Sequence, residues 1–397
     1  GTVLQLAALQ RFAMYGASLT FRASHGQLLA NGRPFVVKGM TWWGAEEASS
    51  GVFAGLHRAS VDQIVSFAAR NGFNAIRVPF LHQRVLFNSP IERGAFSAQL
   101  NPYLLTADGS PVSYIEMLHV IAKRAATKGV LIFLVATSFE RLWYSRSISE
   151  ETILVSWSTL AGQLCGQWNI VGVDLKNQPS AASWGLGLPT DWNMAAQRLG
   201  NHLLRKCSRW LVSVEGVGAT PGARQSSEAE FEALYPDYFN GENLVGAGLN
   251  PVVLDDESKM VYAAHVYGPS VRQLPYMSEE EYPENLEQVW EEHFLFLAKE
   301  TRERRAAPLL LLLGVEETSA RELLFLQWAV RFCARHHISV FYNALNPNPG
   351  RGGEPPARAQ VANNKSGGLL HADWSTPQAG VLSLLSHLQA TPLTSIF

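Results

Sequence analysis

The sequence predicts an α/β fold, a single-domain (β/α)8 TIM barrel, from three observations. Strand-like apolar segments and helix-like segments alternate along the 397 residues, which is typical of a parallel sheet covered by helices. The strand-like segments number eight, as a closed barrel requires. No glycine-rich phosphate loop follows the first of them, which counts against an open dinucleotide-binding sheet. With 47% apolar residues, a chain of this length can form one large core.

Each element has a local justification. The Asn31-Gly32 pair predicts a tight turn in a hairpin over 21–33, ahead of the barrel. Short runs dominated by apolar side chains predict barrel strands at 35–39, 74–79, 130–135, 169–175, 210–214, 259–265, 308–313 and 338–342. Longer segments between them predict helices at 60–70, 114–127, 151–163, 192–206, 286–300, 320–335 and 377–388.

The chain is predicted to divide into an N-terminal extension, 1–25, and the barrel, 26–397. Residues 4–14 have the pattern of an amphipathic helix that covers the bottom of the barrel. No acidic residue precedes Glu46, so this start also resembles the end of an organelle import sequence. The sequence therefore leaves the compartment undecided.

Two long irregular stretches, 216–254 and 346–368, follow the fifth and eighth predicted strands. Loops that follow the strands of a barrel lie on its top face, where functional sites are built. We therefore expect these stretches to shape a groove or to bind a protein partner.

Composition and cysteine pattern exclude several classes of protein. The formal net charge of −2 gives no electrostatic attraction to nucleic acid or to anionic lipid. The longest apolar runs, 130–136 and 309–313, are far shorter than the roughly 18 residues of a membrane span. Cys165, Cys207 and Cys333 are widely spaced and odd in number, so we predict neither a disulfide framework nor a metal site, and we expect no cofactor.

The most informative motif is Asn177-Gln178-Pro179, which closes the string DLKNQP (174–179) at the fourth predicted strand. It resembles the fourth strand of the glycoside hydrolase family 5 cellulases, which ends in Asn-Glu-Pro. Other strings resemble the same family in barrel order: LLANGRPFVVKGMTWWG (28–44), GFNAIRVPF (72–80), VEGV (214–217), HVYGP (265–269), FYNALNPN (341–348) and GGLLHADW (367–374). The resemblance covers about residues 26–374 and implies a cellulase-like barrel.

The resemblance also implies two catalytic carboxylates, and this chain departs from the family at both positions. Retaining glycosidases need a nucleophile and a general acid/base about 5–5.5 Å apart. Gln178 stands at the acid/base position, and its carboxamide forms hydrogen bonds but does not transfer a proton. Two alignments of the seventh strand put Val315 or Leu313 at the nucleophile position. Glu316 is an outside candidate, which we expect to need a β-bulge to reach the site.

Two further family positions differ, and others match. The third predicted strand ends in VATS (135–138), without the family's sugar-contacting histidine. Asn343 replaces the tryptophan on which a sugar ring stacks at the end of the eighth strand. The predicted vestigial substrate-binding set is Arg77, Asn177, Gln178, His265, Tyr267, Trp184 and Asn343. These residues either hold the hydroxyls of a ligand or persist as a buried hydrogen-bond network.

Aromatic residues surround the expected mouth of the barrel: Trp42, Trp43, Trp143, Trp184 and Tyr267. Each is either a platform for a sugar ring or a packing residue of the barrel rim. The sequence does not decide between these two roles.

Three functions follow from these observations. The differences at the acid/base, nucleophile, histidine and tryptophan positions together predict a pseudo-glycosidase. Such a protein is a barrel kept as a structural or interaction module with protein partners in a larger assembly. The second hypothesis is a non-catalytic carbohydrate-binding protein that keeps part of the groove for a β-glucan oligosaccharide. The third is an active hydrolase of O-glycosyl compounds with displaced carboxylates, for example Glu215 and Glu316. The resemblance implies a secreted ancestor.

Overall fold

A closed barrel of eight parallel strands forms the centre of the molecule. The structure is a computed structural model that describes residues 19–138, 140–218, 238–302, 304–347 and 366–396. Its strands are β1 (Phe21–Ser24), β2 (Gln27–Ala30), β3 (Arg33–Pro34), β4 (Lys38–Thr41), β5 (Ala75–Leu81), β6 (Leu131–Thr137), β7 (Ile170–Asp174), β8 (Leu211–Glu215), β9 (Met260–Tyr267), β10 (Leu309–Gly314) and β11 (Ser339–Asn343). Its α-helices are α1 (Val61–Arg70), α2 (His82–Phe87), α3 (Tyr114–Ala126), α4 (Glu150–Leu164), α5 (Trp192–Lys206), α6 (Leu286–His293), α7 (Ala320–Arg335) and α8 (Ala379–Leu385).

The barrel consists of β4 to β11 in chain order, and β11 closes it by pairing with β4. Helices connect most successive strands, which confirms the predicted (β/α)8 fold class. Serine residues cap several helices: Ser60, Ser113 and Ser149 each accept a hydrogen bond from the backbone of the first turn. Among the described residues no helix has the length and apolar character needed to cross a membrane.

Side chains inside and outside the barrel form two apolar layers. Phe133, Leu310, Leu312 and Phe341 pack with one another inside the barrel. The alternate residues of the strands, such as Leu311, pack against the surrounding helices. This alternation decides which side chains reach the top of the barrel lumen.

The N-terminal strands β1, β2 and β3 form a small antiparallel sheet. The predicted turn at Asn31-Gly32 is present, and a second turn at His25-Gly26 also has both residues at positive φ. The expected domain boundary at residue 25 lies in that second turn, and Phe21 packs with the interior of the barrel. The helix expected at 4–14 lies outside the described residues, as do residues 219–237 of the first long loop and 348–365 of the second.

Three details correct the sequence analysis. Cys165 and Cys207 form a disulfide, although we predicted none. They follow α4 and α5, two helices that pack side by side, so their proximity arises from tertiary packing and not from their 42-residue separation. The helix predicted over 286–300 ends at His293 and is followed by a 3-10 turn, Leu295–Ala298. Helix α2 was not predicted.

Candidate functional site

Arg77 lies at the centre of a buried polar network at the top of the barrel lumen. It is 2% exposed. Its Nη2 donates to Glu215 Oε1 at 2.7 Å, to Asn177 Oδ1 at 3.0 Å and to Asp174 Oδ2 at 3.2 Å. These acceptors come from β7, from β8 and from the loop after β7. One guanidinium from β5 therefore ties together three parts of the barrel.

The carboxylate of Glu215, the last residue of β8, is completely buried and has partners on both oxygens. Oε1 accepts from Arg77. Oε2 accepts from the backbone N–H of Gln178 at 2.6 Å and lies 2.8 Å from Nε2 of His265. Because both oxygens are occupied, Glu215 organises the network and does not face the mouth of the barrel.

Gln178 connects the network to the mouth of the barrel. It is half-buried and has a left-handed backbone, φ 51°, which is uncommon for a residue other than glycine. Its Nε2 lies 3.1 Å from Nδ1 of His265. The same Nδ1 of His265 lies 2.8 Å from the hydroxyl of Tyr267. Burial and the nearby Arg77 charge lower the pKa of His265 well below its ordinary value. The neutral imidazole thus accepts hydrogen bonds at Nδ1.

Two other ionisable side chains, Asp174 and Lys176, contact members of this network. Burial, with the nearby Glu215 carboxylate, raises the pKa of Asp174 well above its ordinary value. Burial lowers the pKa of Lys176 to about 8, and its Nζ donates to the backbone oxygen of Asn177 at 2.6 Å. The sequence analysis named neither residue as part of the site. A signal was present for Asp174, because a charged residue ends the otherwise apolar strand β7.

The inward positions of β10 carry no carboxylate. Leu310 and Leu312 pack inside the barrel, so Gly314 is the next inward residue. Gly314 is in register with Tyr267 on one side and Asn343 on the other. A Cβ at Gly314 would lie 2.5 Å from the backbone oxygen of Asn343, so the position has no room for a side chain.

The expectation that Leu313 or Val315 faces the polar network is wrong. Both belong to the apolar layer outside the strands. Val315 Cγ1 lies on the outer side of Gly268, beside the first turn of α7. Glu316 lies two residues beyond the end of β10 and is half-buried, and the expectation that it needs a bulge to reach the site stays a prediction. The backbone N–H of Glu316 donates to Ser270 Oγ at 3.2 Å.

Asn343, at the end of β11, forms a hydrogen bond with an aromatic residue that follows the neighbouring strand β4. Its Oδ1 accepts from the indole Nε1 of Trp43 at 2.7 Å. Asn343 is 9% exposed, whereas Trp43 is half-buried. The sequence analysis listed both residues but did not predict their contact.

Three of the candidate aromatic platforms are packing residues. Trp42 is completely buried and packs on Phe53, with ring centroids 4.6 Å apart. Trp143 is buried and donates to Glu150 at 2.8 Å. Trp184 is 3% exposed and donates to the backbone oxygen of Asn250 at 2.8 Å. A stacking platform needs an accessible ring face, and Trp184 has none. The expectation that Trp184 contacts a ligand is therefore wrong.

The structure brings together five of the predicted site residues and separates another. Arg77, Asn177, Gln178, His265 and Tyr267 form one connected network through the contacts given above. Trp184 lies outside it. Over the described ranges, no three His, Cys, Asp or Glu side chains are arranged to hold a metal ion.

A polar network at the C-terminal ends of the strands of a (β/α)8 barrel is where enzymes of this architecture carry their active sites. The family model of cellulase, glycosyl hydrolase family 5, matches residues 28–307. The chain therefore belongs to this family.

Relatives and solved structures agree with this assignment. The chain is 29% identical over 360 residues to an endoglucanase of Paenibacillus polymyxa, covering 87% of this chain and 81% of the relative. It is 26% identical over 374 residues to the major extracellular endoglucanase of Xanthomonas campestris pv. campestris, covering 91% of this chain and 69% of the relative. A structure of the hyperthermophilic endocellulase from Pyrococcus horikoshii superimposes with a TM-score of 0.78 at 25% identity, covering 93% of this chain and 98% of that one. Two glutamate-to-alanine variants of the Pyrococcus horikoshii endocellulase have structures in complex with cellotetraose.

Proposed function

We propose that this protein is a catalytically degenerate member of the cellulase family, which acts as an interaction module and does not hydrolyse glucan. The observation that carries the proposal is the environment of Gln178. Its carboxamide stands where the family resemblance puts the acid/base, and it is engaged with His265. A carboxamide does not transfer the proton that a departing sugar oxygen requires.

The seventh strand of the barrel supports the same proposal. Its inward residues are Leu310, Leu312 and Gly314, none of which has a carboxylate. Glu215 is the carboxylate nearest to the Gln178 backbone, and both of its oxygens are occupied. Without a nucleophile and a proton donor, the retaining mechanism lacks both of its groups.

An exposed apolar surface supports the role of an interaction module. Two segments that follow β7 and β8 contact each other through Trp184 and Asn250 and through Gln197 and Val253. They carry six of the exposed large apolar side chains: Leu186, Leu188, Met194, Val245, Leu249 and Val253. Exposed apolar side chains that lie together on one surface, unlike scattered single ones, are typical of a binding surface for another protein.

A second candidate function is the binding of β-glucan oligosaccharides without turnover. Asn177 and Gln178 are half-buried, so part of each residue is accessible to solvent. Cellotetraose complexes of glutamate-to-alanine variants of the Pyrococcus horikoshii endocellulase support binding by a barrel of this kind that lacks a carboxylate.

The proposal is tested by assaying hydrolysis of carboxymethylcellulose, cellohexaose and laminarin by the whole chain. We expect no release of reducing ends above that of a heat-denatured sample. A parallel assay uses Glu316→Gln, because Glu316 is the outside candidate for a displaced nucleophile. Turnover by the unmodified chain that is lost in Glu316→Gln would overturn the proposal and make Glu316 a displaced nucleophile.

The interaction role is tested by what purifies with the native protein. We expect Leu249→Ser with Val253→Ser to release the bound protein, since these side chains are 90% and 52% exposed. Phe87→Ser is the matched control, because Phe87 is 79% exposed on a different part of the surface. Release by the control variant, or purification of the native protein without a partner, would contradict the interaction role.

A further inference from the structure

A groove on the outside of the barrel follows helix α1. It has a volume of about 330 Å³ and lies between α1 and residues 370–377, the segment that precedes α8. Arg58, which precedes α1, and Arg70, the last residue of α1, both line it. The groove therefore extends along the whole helix, whose ten residues span about 15 Å. We call it the α1 groove.

Apolar side chains form the floor of the α1 groove. Ile64, Phe67, Leu370 and Trp374 line it and are all buried in the outer apolar layer. Its volume equals that of about eleven water molecules, at the lower end of the range for small-molecule sites. The space therefore suits one ring with a short side chain and not a peptide segment.

Trp374 brings an unpartnered hydrogen-bond donor to the α1 groove. Its ring lies against Gly55, where a Cβ would be 2.2 Å from Cδ2 of the indole. Trp374 is 8% exposed, and its indole N–H has no partner among the described residues. The indole nitrogens of Trp157 and Trp210 also lack partners, but they are completely enclosed, whereas Trp374 lines a groove. A hydrogen-bond acceptor in the groove would satisfy a donor that is costly to leave unpaired.

The two arginines of the α1 groove have no carboxylate partner in the part of the chain that the structure describes. Arg70 has neither a hydrogen bond nor an ion pair there. The Arg58 guanidinium contacts Nε2 of His57 at 3.2 Å and the backbone oxygen of Ala372 at 3.4 Å. Both arginines are exposed, so their charges are available to a ligand.

The acidic residues that are nearest in sequence to this lining have other partners. Asp62 on α1 accepts from Nε of Arg124 at 2.6 Å. Asp373 accepts from the backbone N–H groups of Ser375 and Thr376, each at 2.9 Å. The lining of the α1 groove therefore carries an excess of positive charge.

We propose that the α1 groove binds a small organic carboxylate that carries one apolar ring. A carboxylate matches the donor geometry of a guanidinium and also accepts from the indole N–H of Trp374. The ring packs on Ile64 and Phe67 and removes their apolar surface from water. The site is outside the barrel and separate from the polar network, so the proposal goes beyond the proposed function.

The experiment titrates the whole chain with 3-phenylpropionate and with its neutral analogue 3-phenylpropanamide, followed by the indole N–H signals in NMR. The signal of Trp374 is identified by its loss in Trp374→Phe. We expect 3-phenylpropionate to shift this signal with a Kd of about 1 mM, and the amide to bind about two- to fivefold more weakly. The double variant Arg58→Gln with Arg70→Gln should lose this preference for the acid. Arg93→Gln is the matched control and should keep it, because Arg93 is also exposed and lies over an aromatic ring, that of Phe96, elsewhere on the surface.

Three outcomes would overturn the proposal. They are a Trp374 signal that does not move with about 10 mM acid, equal affinity for acid and amide, and a preference for the acid that survives in the double variant. If Trp374→Phe does not fold, the methyl signal of Ile64, identified with Ile64→Val, is the reporter. The result of the hydrolysis assay does not bear on this site, so the two proposals stand or fall separately.

Discussion

The side-chain amide of Gln178 lies 3.1 Å from Nδ1 of His265. An amide nitrogen only donates, so Nδ1 accepts, and the ring proton is on Nε2, which lies 2.8 Å from an oxygen of Glu215. Burial and Arg77 keep the pKa of His265 well below its ordinary value, so the ring stays neutral. Residue 178 is therefore adapted here to donating a hydrogen bond.

Gln178→Glu tests this relationship. A carboxylate beside Nδ1 favours the charged imidazolium, so the pKa of His265 should rise. The change should not restore hydrolysis, because no nucleophile is added. Histidine titration by NMR checks the first outcome, with the exposed His387 as an internal reference, and an assay on cellohexaose checks the second. An unchanged His265 titration would contradict the hydrogen-bond assignment, and clear turnover would contradict the proposed absence of a nucleophile.

Arg77→Met should destabilise the fold by about 3–5 kcal/mol, because it leaves the buried carboxylates of Asp174 and Glu215 without their cation. Urea denaturation at neutral pH measures the free energy of unfolding. Arg198→Met is the matched control: it breaks the pair with Glu150, in which the Arg198 side chain is 50% exposed, and should cost less than about 1 kcal/mol. Equal losses in both variants would mean that Arg77 has no special role in the network.

Glu46 should make stability depend on pH. Burial, partly offset by hydrogen bonds from the backbone, raises the pKa of Glu46 from 4.5 to about 7. The folded state therefore binds the proton more tightly than the unfolded state, and the free energy of unfolding falls as pH rises between about 4.5 and 7. Glu46→Gln removes this loss and should be more stable than the unmodified chain at pH 8 by roughly 2–3 kcal/mol, but not at pH 4.5. Unfolding curves at the two pH values check this, and a parallel shift at both would refute it.

The disulfide between Cys165 and Cys207 should stabilise the chain by about 2–4 kcal/mol. The double variant Cys165→Ser with Cys207→Ser should lose that amount in urea denaturation, and a reducing agent should have no further effect on it. Cys333→Ala is the control, because Cys333 is a free buried thiol and its variant should still respond to reductant. A reductant response that survives in the double variant would rule out this pairing.

Several features of the site had no local signal. The run Leu309–Gly314 contains five consecutive leucines, so no alternation of polar and apolar residues marks which side chains point inward. Register with Tyr267 and Asn343 decides it, and both proposed nucleophile positions prove to face outward. Trp184 and Trp43 are the same residue type, and only packing distinguishes them. Trp184 is buried and donates to the backbone oxygen of Asn250, whereas Trp43 is half-buried.

The order of the elements and the presence of a carboxamide at Gln178 are properties of the chain alone, because apolar runs form buried strands and a carboxamide has its chemistry wherever it lies. The residues that contact Gln178 are not determined by the chain alone. Arg77 reaches Glu215 across 138 residues of sequence, and Trp43 reaches Asn343 across 300, because the pairing of β11 with β4 closes the barrel and brings distant strand ends together. Side-chain distances across a closed sheet depend on register and curvature, and both arise only when all eight strands pair.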